Sequence, residues 1–297
     1  MPLSFQILQA VINGLLIGGV YALIAVGLTM IFGVMRIINF AQGDFLMVGM
    51  YVTWLLFRIL GVTLPYWLIP LVAVIMFGLA ALVFRTTIIR VVGKGDSNYI
   101  LLTLGISYLL QYGIQMIVGP DFLSLPVTNE FKQSAIRLGG DVSVAFPPFI
   151  ALVVALVFVI GMNYFLGKTD MGRAMRATSE DRTIAATLGV NTRAIYTVAF
   201  SLGIVFAGIS GLLLSPIYFI HPRAGVVFST IAMTVVVLGG LGNIKGAMLG
   251  GVIIGIVQSF FGTFVSMDIA QIAIDTVLIV MLMFRPFGLF GGGARRA

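Results

Sequence analysis

GKTDMGRAMRATSEDRTIAATLGVNTR, residues 167–193, is an island of glycine, alanine, arginine and acidic residues set between two long apolar runs, 146–166 and 195–219. A helix needs about 20 mostly apolar residues to cross the hydrocarbon core of a bilayer. Both flanking runs meet that length, so the island between them must lie in water. Its alanine-rich composition favours helix over slack loop. Thr169 or Asp170 can cap the start, Arg176 and Glu180 stand at i and i+4, and Gly189 offers a stop with Asn191 close behind. Met175, Ile184, Ala185 and Leu188 supply apolar contacts. The expectation is a short amphipathic element projecting into the cytoplasm. Its apolar face is too sparse for a helix lying on a membrane surface and better suited to a partner protein.

Composition extends this reading to the whole chain. Of 297 residues, 60% are hydrophobic and 9% charged, against about 25% charged in soluble domains. The fold class is therefore an all-α polytopic membrane protein, one transmembrane domain over 1–297 with a cytoplasmic loop at 167–193. Apolar runs fall at about 6–32, 45–63, 66–88, 100–118, 146–166, 195–219, 229–242, 247–266 and 269–285. The run 229–242 is short for a crossing, so eight to ten spans are expected. No Lys or Arg precedes Arg36, and the first run exceeds signal-peptide length, so it is expected to remain as the first span.

The charges orient these spans. The net charge of +7 does not signal nucleic acid, because the basic residues cluster at the ends of apolar runs, where they orient a chain in a bilayer. Arg85, Arg90 and Lys94 form one cluster, Lys168, Arg173, Arg176, Arg182 and Arg193 a second, and Arg285, Arg295 and Arg296 a third. All three are expected on the cytoplasmic side. The N-terminus is then outside. The loop 119–145, with Asp121, Glu130, Lys132, Arg137 and Asp141, shares the outer face with His221 and Arg223, and the scheme closes only if 229–242 crosses. With no cysteine and one histidine, His221, disulfides, thiol nucleophiles and Cys- or His-cluster metal sites are excluded within this chain.

Two stretches read as broken or re-entrant elements: GVMRIINFAQG (33–43) and GGLGNIKG (239–246). Both join apolar runs through Gly and Asn, a pattern that hints at an internal repeat of the kind transporters use. The plainer alternative is two cytoplasmic turns marked by Arg36 and Lys245. Asn39, Gln42 and Asp44 in the first stretch are candidates for a substrate path, although Asp44 could also cap a helix in water. Asp275 lies inside IAQIAIDTVLIVML (269–282), where a charge costs roughly 2.5–3.5 kcal/mol at a helix centre. Its helix neighbour is Gln271, so it faces the bundle interior or a partner subunit, either as path lining or as a hydrogen-bonded structural acid. Gly14/Gly18, Gly246/Gly250 and Gly251/Gly255 are small-residue pairs that let helices approach closely. No GxxxxGK[ST] phosphate loop is present, so the chain does not hydrolyse ATP by that route.

GVMRIINFAQGDFLMVGMYV (33–52), GRAMRATSEDRTIAATLGVN (172–191) and VLGGLGNIKGAMLGGVIIG (237–255) resemble, in order, blocks of the LIV-type permeases, the membrane subunits of branched-chain amino acid ABC importers. The likeness is greater to the first permease of the pair. The resemblance implies a second permease, two ATP-binding subunits and a periplasmic substrate-binding protein as partners, in the inner membrane of a bacterial cell. It places ATP and magnesium on the partner ATPases and no cofactor in this chain. It also implies that 172–189 docks on an ATPase, with Gly172, Arg173, Arg176, Glu180, Asp181 and Gly189 as contacts and Ala185 and Leu188 filling the ATPase groove. Related permeases for urea, short amides or other small organic solutes look similar at this level. A secondary transporter would have only Asp44 and Asp275 for ion coupling, and a membrane enzyme lacks any His or Cys constellation.

Overall fold

The computed structural model describes residues 3–62, 64–93, 95–125, 127, 135–139, 142–285 and 287–290. Lys94, Glu130, Lys132, Asp141, Arg295 and Arg296, assigned above to one face or the other, lie outside them, as does the side chain of Arg137. Eleven α-helices are described: α1 (Leu3–Met35), α2 (Gln42–Leu60), α3 (Ile69–Thr86), α4 (Asp96–Val118), α5 (Phe146–Lys168), α6 (Asp170–Glu180), α7 (Arg182–Thr187), α8 (Thr192–Leu214), α9 (Ala224–Gly239), α10 (Ile244–Phe264) and α11 (Met267–Phe284). A 3-10 turn at Pro65–Leu68 leads into α3. Among the described residues the strands are one antiparallel pair, Ala135–Gly139 with Val142–Ala145. Eight helices are long and apolar enough to cross a bilayer, and α9 is a shorter apolar one. The chain is an all-α polytopic membrane protein.

The helix limits differ from the apolar runs at the two interrupted stretches. Arg36 adopts a left-handed backbone, φ 55°, a conformation unfavourable for a residue with a Cβ, and this ends α1. The next helix then starts at Gln42 rather than at the first apolar residue, because Gln42 and Asp44 are buried in protein instead of marking water. Irregular backbone is tolerated at membrane depth when protein covers it.

Glycine sets the packing. A Cβ on Gly14 would lie 2.6 Å from Ile256 Cα, and one on Gly18 2.9 Å from the Gly251 carbonyl oxygen, so α1 and α10 touch backbone to backbone. The pair Gly246/Gly250 faces α9, at Gly239 and Val235. Across the bundle α2 packs on α9. The two helix–break–helix units thus exchange partners, α1 with α10 and α2 with α9, and their breaks meet where Gly33 faces Gly242.

The contacts between loops agree with the expected faces. Leu123 and Ile220 exchange backbone hydrogen bonds of 2.8 Å, and the Phe122 ring centroid is 4.8 Å from that of His221. The stretches 119–125 and 215–223 therefore share one face. At the other end, Gly93 stands beside Arg182, and Asn243 donates to the Phe290 carbonyl at 2.9 Å. Segments of all three basic clusters converge there.

Candidate coupling element and intramembrane polar cluster

The polar island folds into two short helices with a break at Asp181. The Thr169 hydroxyl accepts from the Gly172 amide at 3.0 Å and caps α6. A Cβ on Gly172 would meet Leu166 Cα at 2.6 Å, so α6 doubles back tightly onto the last turn of α5. Asp181 has extended backbone, and its Oδ1 accepts from the amides of Thr183 at 2.7 Å and Ile184 at 3.0 Å, capping α7. Gly189, at φ 85°, ends the element in the left-handed region, and Asn191 caps α8 through the Ala194 amide. The stop and the first cap were legible in the sequence. The second cap carries the usual signal, an Asp directly before the helix it caps.

This folding sorts the island's side chains. Gly172, Met175, Thr178 and Ala185 are buried within the chain itself. Arg173, Glu180, Asp181 and Gly189 are exposed, as are Ile184 at 58% and Leu188 at 78%. The expected pairing of Arg176 with Glu180 does not occur. Arg173 pairs with Asp170, and Arg176 lies against a recess lined by Asn163 and Lys245. An exposed i,i+4 pair contributes only about 0.3–0.5 kcal/mol, too little to dictate the rotamer.

The second constellation surrounds the start of α2. Asn39 Nδ2 donates to Gln42 Oε1 at 3.2 Å, Gln42 Nε2 donates to the Gly203 carbonyl of α8 at 3.1 Å, and the Gly43 amide donates to Ser229 Oγ at 2.9 Å. Ser229 in turn donates to the Phe40 carbonyl at 3.1 Å. These bonds satisfy a backbone that has left the helix. Asn39 also lines a cavity of about 160 Å³ with Phe40, Ser229, Thr230 and Leu278.

Asp44 is 1% exposed, which corrects its reading as a cap in water. It sits inside the first turn of α2, its carboxylate accepts from Gln111 Nε2 of α4 at 2.9 Å, and among the described residues no basic side chain pairs with it. The start of α9 at Gly225 covers it directly. Ser229, Gln111 and Gly225 were missed in the sequence because nothing in their local pattern shows that α4 and α9 converge on Asp44. Asp275 is separate from this cluster. It is half-buried midway along α11 and accepts from Gln271 Nε2 at 3.2 Å, so the expected helix-face pair forms.

Comparison with known proteins places this geometry. The family model described as "Branched-chain amino acid transport system / permease component" matches residues 10–285. The high-affinity branched-chain amino acid transport system permease protein BraD of Pseudomonas aeruginosa is 31% identical, over 98% of each chain. The corresponding protein LivH of Escherichia coli is 30% identical over 96% of this chain and 95% of its own. LivM of Escherichia coli, also a permease protein of that system, is 25% identical over 91% of this chain and 67% of its own. No solved structure gives a significant match. Full-length similarity, joined to an array of apolar helices around one capped polar element, is sufficient: the chain belongs to the branched-chain amino acid transport system permease family.

Proposed function

We propose that the chain is one of two membrane subunits of a binding-protein-dependent ABC importer that carries branched-chain amino acids across the inner membrane of a bacterial cell. A second permease, two ATP-binding subunits and a periplasmic binding protein complete the assembly. ATP and magnesium act on the ATP-binding subunits, and this chain contributes one transmembrane unit with a coupling loop at 167–193.

The observation that carries this reading is the α6–α7 element. It is capped at both ends and seated on α5 through Gly172, yet it presents the apolar side chains Ile184 and Leu188 to water among Arg173, Glu180 and Asp181. A rigid, exposed apolar pair ringed by charge has the form of an interface core with a polar rim. Gly172 and Ala185 seat the element, Arg176 turns to the recess beside α10, and Arg173, Glu180, Asp181, Leu188 and Gly189 meet the ATPase. Closure of the ATPases moves it as a lever. The element is continuous with α5 on one side and α8 on the other, and α8 carries the Gly203 carbonyl that holds Gln42. Motion at the cytoplasmic face is thereby passed to the broken segment.

The substrate path runs by the cavity at Asn39, between the break, α9 and α11. Gln42 and Asp44 stand behind Asn39 and fix the break. Asp275, half-buried near mid-span, faces the second membrane subunit or the path the two share, because a charged group turned to lipid is costly.

The test is uptake of labelled leucine into proteoliposomes holding the chain with its co-encoded partners, with urea as competitor. Uptake that requires both ATP and the binding protein supports the reading. Leucine uptake driven by an ion gradient without ATPase subunits overturns it.

A further inference from the structure

On the cytoplasmic side, two contiguous recesses open between the end of α1, the coupling helix α6 and the start of α10. The inner one, about 110 Å³, is lined by Thr29, Ser179 and Arg176. The outer one, about 540 Å³, is lined by Arg176, Lys245, Asn163 and Asn243. Neither recess has an acidic residue in its lining among the described residues. Among the described residues neither Arg176 nor Lys245 forms an ion pair. Thr29 is 1% exposed, and among the described residues its hydroxyl has no hydrogen-bond partner. A buried hydroxyl without a partner is costly, and here it borders a cavity with two uncompensated cations at its mouth. Of the first-turn amides of α10, that of Gly246 is capped by Asn243 Oδ1 at 3.0 Å, and the helix itself offers the others no carbonyl.

We infer that this double recess is a binding site for a phosphate-class anion, held by Arg176 and Lys245 with Thr29 donating from below. The chemistry fits either a lipid phosphate or a free phosphate ion. Position favours the lipid: the recess lies at the cytoplasmic end of α5, where headgroups sit, and Leu166, Leu241 and Phe290 form apolar walls beside the cations. Basic recesses between spanning helices on this side of a membrane suit anionic headgroups. Because Arg176 is on the coupling helix and Lys245 on a helix of the packed bundle, an anion between them ties the lever to the bundle.

The experiment measures binding to the purified full-length chain in mild detergent by native mass spectrometry and by the shift in thermal unfolding midpoint, which rises when a ligand binds the folded state. The probes are phosphatidylglycerol, phosphatidylcholine and inorganic phosphate. Phosphatidylglycerol is expected to be retained and to raise the midpoint, phosphatidylcholine is not, and Lys245→Gln is expected to weaken the apparent affinity about tenfold, the loss of one charge-assisted bond. Arg58→Gln, remote on α2, should leave binding unchanged. Thr29→Val keeps the volume and should weaken binding by a smaller factor. Saturable binding of inorganic phosphate, lost in Lys245→Gln, with no preference for phosphatidylglycerol, supports the site with a free ion as occupant. Equal binding of both lipids without saturable binding of inorganic phosphate, or unchanged binding in Lys245→Gln and Arg176→Gln, overturns it. ATP-dependent uptake that persists without such binding removes this site and leaves the permease reading intact.

Discussion

The backbone of Gly225, at the start of α9, lies directly against the carboxylate of Asp44, at the start of α2. A Cβ at position 225 would overlap Asp44 Oδ1 and stand 2.7 Å from Asp44 Cα. The Asp44 backbone has little room to move, since the neighbouring Gly43 amide is fixed by Ser229. Gly225→Ala should therefore destabilise the chain by about 1–3 kcal/mol, the range for overpacking a close contact, seen as a lower thermal midpoint. Gly78→Ala is the control: it lies inside α3 with nothing within 4 Å of the added carbon, and its midpoint should not fall.

Gln111 is the side chain that crosses from α4 to the buried Asp44. Gln111→Leu removes a donor from a carboxylate that has no basic partner among the described residues. The expected loss is about 1.5–3 kcal/mol, the scale of a hydrogen bond to a charged group. Asp44→Asn removes the charge and should soften the effect of Gln111→Leu. A thermal unfolding cycle over the two single variants and the double variant measures this coupling, and strict additivity would contradict the contact.

These two positions also mark what the sequence could and could not tell. Apolar runs of spanning length are a strong local signal, so the membrane fold and the polar element are legible; the glycine pairs announce close helix packing, but only the structure shows that Gly14 and Gly18 meet α10. The caps at Thr169 and the stop at Gly189 are written in residue types that the backbone requires there. Asp44 shows the limit: its neighbours in sequence leave open a place on a path or a cap in water, and only the arrival of Gln111 and Gly225 from distant helices reveals that it is buried. Arg176 shows another, since spacing alone offers Glu180, while the fold offers a cavity.

His221 stacks beside Phe122 on the face carrying the 119–125 stretch, and burial lowers its pKa from the ordinary 6.5. The folded state therefore holds the proton less readily than the unfolded state. Stability from this contact is fully present above the ordinary histidine value and is lost as the pH falls below it through the lowered folded value. Hydrogen exchange of the amides at Leu123 and Ile220, compared at pH 7.5 and 5, should show weaker protection at the lower pH beyond the chemical rate change. His221→Gln should remove that difference.

The α6–α7 element presents an exposed apolar pair. Ile184 and Leu188 stand on α7 and at its end, one helical turn apart and largely in water, while Met175 and Ala185 on the inner side already fix the element to the chain. Removing the outer pair should leave the fold intact and weaken only what docks there. Burying a side chain of this size contributes about 1.5–3 kcal/mol, so Leu188→Ser should lower the affinity for the ATPase subunits by roughly ten- to a hundredfold, and Ile184→Ser with Leu188→Ser by more. The measurements are co-purification of the ATPase with the variant chain and the ATPase rate stimulated by loaded binding protein, set beside the thermal midpoint of the chain alone. A variant with an unchanged midpoint and lost stimulation locates docking at α7. Unchanged stimulation in the double variant would place the docking surface elsewhere on the cytoplasmic face.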